Sequence, residues 1–152
     1  MNRLESNNEF IKGGIAGAVS AVAMFFFIEL FRWLGITKYG QAYLASDIVF
    51  TYKDTLLMNL IGLFNSIMIG SFWGVVIAFL YSYVFTEDYC LLKGPSVGYL
   101  LFVFHLGILD DFFHYERELH KKTADVVVIL SGYLLYGFCV AYLLKRLKIF
   151  KK

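Results

Sequence analysis

All three histidines of this 152-residue chain, His105, His114 and His120, lie in one stretch, HLGILDDFFHYERELH, with two adjacent aspartates and two glutamates. On a helix Asp110, His114 and Glu118 are spaced by four and share a face, and Asp111, three before His114, joins it. Carboxylates and an imidazole on one face suit a divalent transition metal or a proton relay. The candidate metal set is therefore Asp110, Asp111, His114 and Glu118, with Glu29 and His105 as possible additions. His105 falls on another face and needs a second helix to supply its partner. Glu29, with Arg32 three residues on, would close the cluster from the first apolar segment. A plainer reading competes: a helix leaving a membrane needs polar residues, and Asp111, His114, Arg117 and Glu118 can satisfy one another through i,i+3 and i,i+4 pairs. No HExxH, GxSxG or Walker-type pattern occurs in the chain. No catalytic residue and no resident cofactor is expected beyond that one candidate metal.

The elements that must position these residues are unusually apolar. The chain is 59% hydrophobic and only 17% charged, whereas soluble domains carry about a quarter charged residues. A net charge of +2, with the cations mainly in the tails, argues against a nucleic-acid partner. Cys90 and Cys139 match no metal spacing and imply no disulfide framework.

Crossing ~30 Å of hydrocarbon takes about 20 apolar residues in a helix. Four stretches qualify: about 13–34, 56–85, 94–113 and 126–144. The third has an uncharged part, residues 94–109, of only about 24 Å at ~1.5 Å per residue, so it is expected to continue into the acidic and histidine segment. Nothing alternates with period two, so no strand competes. The expectation is an all-α, polytopic protein, with residues 1–152 as a single integral membrane domain. Its partner is the lipid bilayer.

Direction follows from Lys and Arg in the flanks. With both termini inside, the inner side carries Arg3, Lys12, Lys93, Lys145, Arg146, Lys148, Lys151 and Lys152. The outer side carries Arg32, Lys38, Lys53, Arg117, Lys121 and Lys122. This bias places both termini in the cytoplasm. The first outer loop, GITKYGQAYLASDIVFTYKD, is expected to lay Tyr39, Tyr43, Phe50 and Tyr52 along the headgroups, with amphipathicity too weak to assert a helix.

Lipid tails are as apolar as leucine, so helices associate where small residues let backbones approach. The second span has Gly62, Ser66, Gly70, Gly74 and Ala78 at every fourth position, including a GxxxG in GSFWG. The first has Gly13, Gly17 and Ala21, the third Gly94 and Gly98, and the fourth Gly137 and Ala141. These rows are expected to be helix-packing seams inside the monomer, with a homo-oligomer or another membrane protein as the alternative user. Asn59 and Asn65 are expected to make interhelical hydrogen bonds.

The spans also repeat. KGGIAG from Lys12 and KGPSVG from Lys93 both read K-G-x-x-x-G; WGVVIAFL from Trp73 and YGFCVAYL from Tyr136 share aromatic-Gly, three residues, then Ala-aromatic-Leu. Two tandem helical hairpins with the same direction, related by a pseudo-two-fold axis along the membrane normal, are expected. Glu29 then aligns with Asp110.

The order GGIAG, IGSFWGVVIAFLY, KGPSVGYLLFVFHLGI, LSGYLLYGFCVAYLL resembles the YqhR-like group of small four-helix bacterial membrane proteins and related families. The likeness covers most of residues 11–144 and leaves out LDDFFHYERELH. It implies a bacterial cytoplasmic-membrane protein and assigns no activity. Taken together, the expected role is a non-enzymatic packing or interaction unit of the inner membrane. The alternatives are a small transporter or proton-coupled unit, and a metal-dependent enzyme acting at the outer end of the third helix.

Overall fold

A computed structural model describes residues 3–47, 54–84, 89–108 and 122–147. The protein is all-helical: among the described residues there is no strand. The elements are α1 (Arg3–Trp33), α2 (Gln41–Asp47), α3 (Leu56–Tyr83), α4 (Cys90–Phe102) running into a π-turn (Val103–Ile108), and α5 (Thr123–Arg146). Four helical segments, Asn8–Trp33, Leu56–Tyr83, Cys90–Gly107 and Thr123–Arg146, are long and apolar enough to cross a membrane. The chain is a multi-pass helical membrane protein.

The helix ends follow local chemistry. Gly35, at φ +72°, closes α1: Ile36 N–H bonds the Phe31 carbonyl at 3.1 Å and Gly35 N–H that of Arg32 at 2.9 Å. This paired arrangement needs a left-handed residue just past the helix, which only glycine adopts freely. At the start of α3, the Thr55 side chain accepts the Met58 N–H, satisfying one of the orphan donors of the first turn. The third span begins at Cys90 rather than at Gly94, because the N–H groups of Leu92 and Lys93 already bond the Tyr89 carbonyl.

Packing inverts the pattern of a water-soluble bundle. On α3 the small row Gly62, Ser66, Gly70, Gly74 and Ala78 is buried, while Leu60, Phe64, Met68 and Phe72 on another side are all exposed. Large apolar side chains face outward and bare backbone faces inward, as expected where lipid is the solvent. α1 packs on α3 and on α5, and α4 packs on α5. Gly17 lies against Gly70 and Gly74 of α3, and Gly13 against Gly74 and Ala78. On the other side Gly94 lies against Gly137 and Ala141, and Gly98 against the Tyr133 carbonyl of α5. Gly132 of α5 seats Ile28 of α1, a contact that lies outside the small-residue rows of the sequence.

The loop between the first two spans departs from expectation at Tyr39, while Phe50 and Tyr52 lie outside the described residues. Tyr39, Ala42, Ala45 and Ser46 are buried, because residues 41–47 form a helix that folds back onto α3. Gly62 lets the Ala42 backbone come close, and the Asn65 amide donates to the Ala45 carbonyl at 3.2 Å. Apolar and small residues on one side of this short helix are thus covered by protein instead of lying among headgroups. Asn65 makes the interhelical bond expected of it. Asn59 donates to Asp54, just ahead of its own helix.

Candidate functional site

The candidate metal residues Asp110, Asp111, His114 and Glu118 lie outside the described residues. Glu29 and His105 are described, and each has its own partners. Glu29 is buried; one carboxylate oxygen accepts the Ala42 N–H at 2.8 Å, and the other pairs with Arg32 Nε at 3.1 Å. Arg32 in turn reaches Asp54 at 3.2 Å. Gly40 packs directly beneath the Glu29 carboxylate. Glu29 therefore ties α1 to α2. Among the described residues no three His, Cys, Asp or Glu side chains gather as a metal site would require.

His105 takes its partner from α3: Trp73 Nε1 donates to His105 Nε2 at 3.1 Å, with the two rings edge-on at 5.7 Å. The π-turn brings this about. An i→i+5 turn widens the helix by one residue and shifts the phase of the residues beyond it, and His105 lies in the middle of it. Tyr133 of α5 stands on its other side, with ring centroids 5.6 Å apart. An indole N–H can only donate, so Nε2 must be the acceptor. A neutral imidazole then carries its proton on Nδ1. Nδ1 is buried, turned toward the Leu101 carbonyl one turn earlier without a hydrogen bond of good geometry.

These side chains border a cavity of about 100 Å³ at the junction of all five helices. α1 contributes Ala21 and Met24, α2 contributes Gln41, Leu44 and Ala45, and α3 contributes Ser66, Ile69, Gly70 and Trp73. The far wall is Leu101, His105 and Leu106, with Tyr133 and Tyr136 of α5. The Tyr136 hydroxyl donates to the Gly70 carbonyl at 2.7 Å, which pins α5 to α3 beside the cavity. Three polar atoms of lining residues are buried without a hydrogen-bond partner: Gln41 Oε1, Ser66 Oγ and His105 Nδ1. Buried polar groups are ordinarily satisfied, so three orphans around one void mark a place where something polar fits. Among the described residues every other lining side chain is apolar or aromatic, and none is charged. A mostly apolar hollow with a few convergent polar groups is the usual make-up of a small-molecule site.

Two further buried carboxylates are not among the candidate site residues of the sequence. Asp125, in the first turn of α5, is fully buried and accepts the Lys38 N–H at 2.9 Å. Glu9 accepts from the Ser82 hydroxyl at 2.7 Å, joining α1 to the end of α3. Asp125 has a readable signal, an acidic residue at a helix start. Gln41 has none, because nothing in the loop sequence announces a helix folded back into the bundle. Comparison of the chain with protein-family models, with curated proteins and with solved structures finds no match.

Proposed function

We propose that this chain is a non-catalytic protein of the bacterial cytoplasmic membrane, with both termini inside, that binds and passes a small solute through the cavity between its two helical hairpins. The observation that carries this reading is that Gln41, Ser66 and His105, each with a buried polar atom that finds no well-formed hydrogen bond among the described residues, line one cavity. Homo-oligomerisation through one of the small-residue rows needs that row to face outward. The rows Gly13 and Gly17, Gly62 to Ala78, Gly94 and Gly98, and Gly137 and Ala141 are all buried within the monomer.

The proposed duplication adds support. Aligning Lys12 with Lys93 also matches Met24 with His105, and aligning Trp73 with Tyr136 also matches Gly70 with Tyr133. Met24, His105, Trp73, Tyr136, Gly70 and Tyr133 all line the cavity. The contacts of Gly13 with Gly74 and Ala78 repeat as those of Gly94 with Gly137 and Ala141. A cavity astride the axis relating two repeats is where small transporters place their substrate. Membership of the YqhR-like group is compatible with this reading.

The test is flux. Purified protein reconstituted into liposomes is mixed with a slowly permeating neutral solute, glycerol or urea, and vesicle volume is followed by stopped-flow light scattering. Faster volume recovery than in empty liposomes, slowed by Ala45→Phe inside the cavity, is expected. Equal rates with and without protein for both solutes would sink the proposal.

A further inference from the structure

Resting on the reading of the cavity as the functional site, we infer that it selects an uncharged ligand of a few heavy atoms that both accepts and donates a hydrogen bond, such as a short alcohol or a small amide. Three observations lead to this class. First, among the described residues no charged side chain lines the cavity, and the Trp73 N–H occupies the His105 nitrogen that would otherwise take up a second proton. An ion entering would lose its hydration with no opposite charge among those residues to replace it, a cost of several kcal/mol. Second, the unpartnered atoms differ in kind. Gln41 Oε1 only accepts, His105 Nδ1–H only donates while its ring is neutral, and Ser66 Oγ does both. A ligand satisfying all three must carry an acceptor and a donor. Third, the size is small. About 100 Å³ is less than the ~150 Å³ of an apolar cavity that holds benzene. The serine is 94% buried by its 6% exposure, so water in bulk does not serve it.

The experiment uses Trp73 as the reporter. The chain has two tryptophans, and Trp33, at the exposed end of α1, is removed by Trp33→Phe. Quenching of the remaining indole is titrated in detergent with three bromine probes: 2-bromoethanol, its apolar analogue bromoethane, and the smaller bromide ion. Saturable quenching by 2-bromoethanol is expected, with bromide far weaker. Ser66→Ala and, separately, Gln41→Leu should each weaken the apparent affinity about fivefold, the loss of one net hydrogen bond. Both variants must elute as folded protein, and Gln41→Leu, on the short α2, covers the case in which Ser66→Ala does not. Bromoethane saturating as tightly as 2-bromoethanol, indifferent to both substitutions, overturns the polar class and leaves the cavity as a ligand site. Saturation by bromide alone overturns the neutral class and leaves the site equally. Linear, non-saturating quenching by all three overturns the ligand site itself and the proposed function with it.

Discussion

The backbone N–H of Lys38 donates to Oδ1 of Asp125 at 2.9 Å, across 87 residues of chain. It ties the turn after α1 to the first turn of α5, and Asp125 has no exposed surface at all. Asp125→Ala takes the acceptor from the part-buried Lys38 N–H and removes a carboxylate from the positive end of a helix. A loss of about 1–3 kcal/mol is expected. Asp125→Asn keeps an acceptor oxygen in place and is expected to lose less. The check is the temperature at which detergent-purified protein stops eluting as a monodisperse peak. An alanine variant as heat-resistant as the parent would show that the bond contributes nothing.

Glu29 holds α2, and α2 is a wall of the cavity. Glu29→Leu strips the Ala42 N–H of its acceptor and leaves Arg32 with Asp54 alone of its two carboxylate partners. Glu29→Gln retains an oxygen for Ala42. Gly40→Ala reaches the same end from the other side, because a methyl group there would run into the Glu29 carboxylate. With Trp33→Phe as background, Glu29→Leu and Gly40→Ala should raise acrylamide quenching of Trp73 about twofold or more, corresponding to ~0.4 kcal/mol or more toward an open wall. Glu29→Gln should sit near the parent. Unchanged quenching in all three would mean that α2 stays seated without Glu29.

The glycines of α1 separate seam from mere composition. A methyl on Gly17 would overlap the Gly70 carbonyl and the Gly74 backbone, where nothing flexible can give way. A methyl on Gly14 meets only Val75 Cγ2, at 3.8 Å. Gly17→Ala is expected to destabilise by about 1–3 kcal/mol through overpacking, and Gly74→Ala likewise, while Gly14→Ala should be neutral or slightly stabilising as a better helix former. Unfolding in mixed micelles by increasing dodecyl sulfate, followed by far-UV circular dichroism, ranks the three. Equal midpoints for Gly14→Ala and Gly17→Ala would contradict the close approach of α1 and α3.

The frame of this protein is open to reading from the chain because lipid imposes two crude rules: enough apolar length to cross, and small residues where helices touch. Both are local properties of a span. The period-four row from Gly62 to Ala78 therefore announces the buried side of α3 without any knowledge of its neighbour. The cavity obeys no such rule. Its polar atoms come from Gln41 in a short helix within a loop, Ser66 inside what reads as a packing row, and His105 in a π-turn, far apart in sequence. Trp73 is legible only as the aromatic of a GxxxG segment, since its indole N–H acquires a role through the distant His105. In one dimension the conspicuous group is instead Asp110, Asp111, His114 and Glu118, by their helical spacing. Convergence in three dimensions leaves no periodic trace.

Orientation needs probes that the fold leaves accessible. Cys90 looks usable from sequence, because it sits in a short inner loop, and Ser46→Cys looks usable in the first outer loop. Both positions are buried: Cys90 directs its sulfur at the Ala141 carbonyl, and Ser46 bonds the Ala42 carbonyl within α2. Neither would react from either side, so silence there carries no information on topology. Ile36, 48% exposed just past α1, and Leu147, 36% exposed at the end of α5, follow the C-terminal ends of two antiparallel helices and so lie on opposite faces of the bundle. With both termini cytoplasmic, Ile36→Cys should react with a membrane-impermeant maleimide in intact cells. Leu147→Cys should react only after permeabilisation, and the parent chain supplies the background of Cys90 and Cys139. The reverse labelling would invert the protein in the membrane. The bias of Lys and Arg toward the inner flanks would then have to give way to some stronger determinant of insertion.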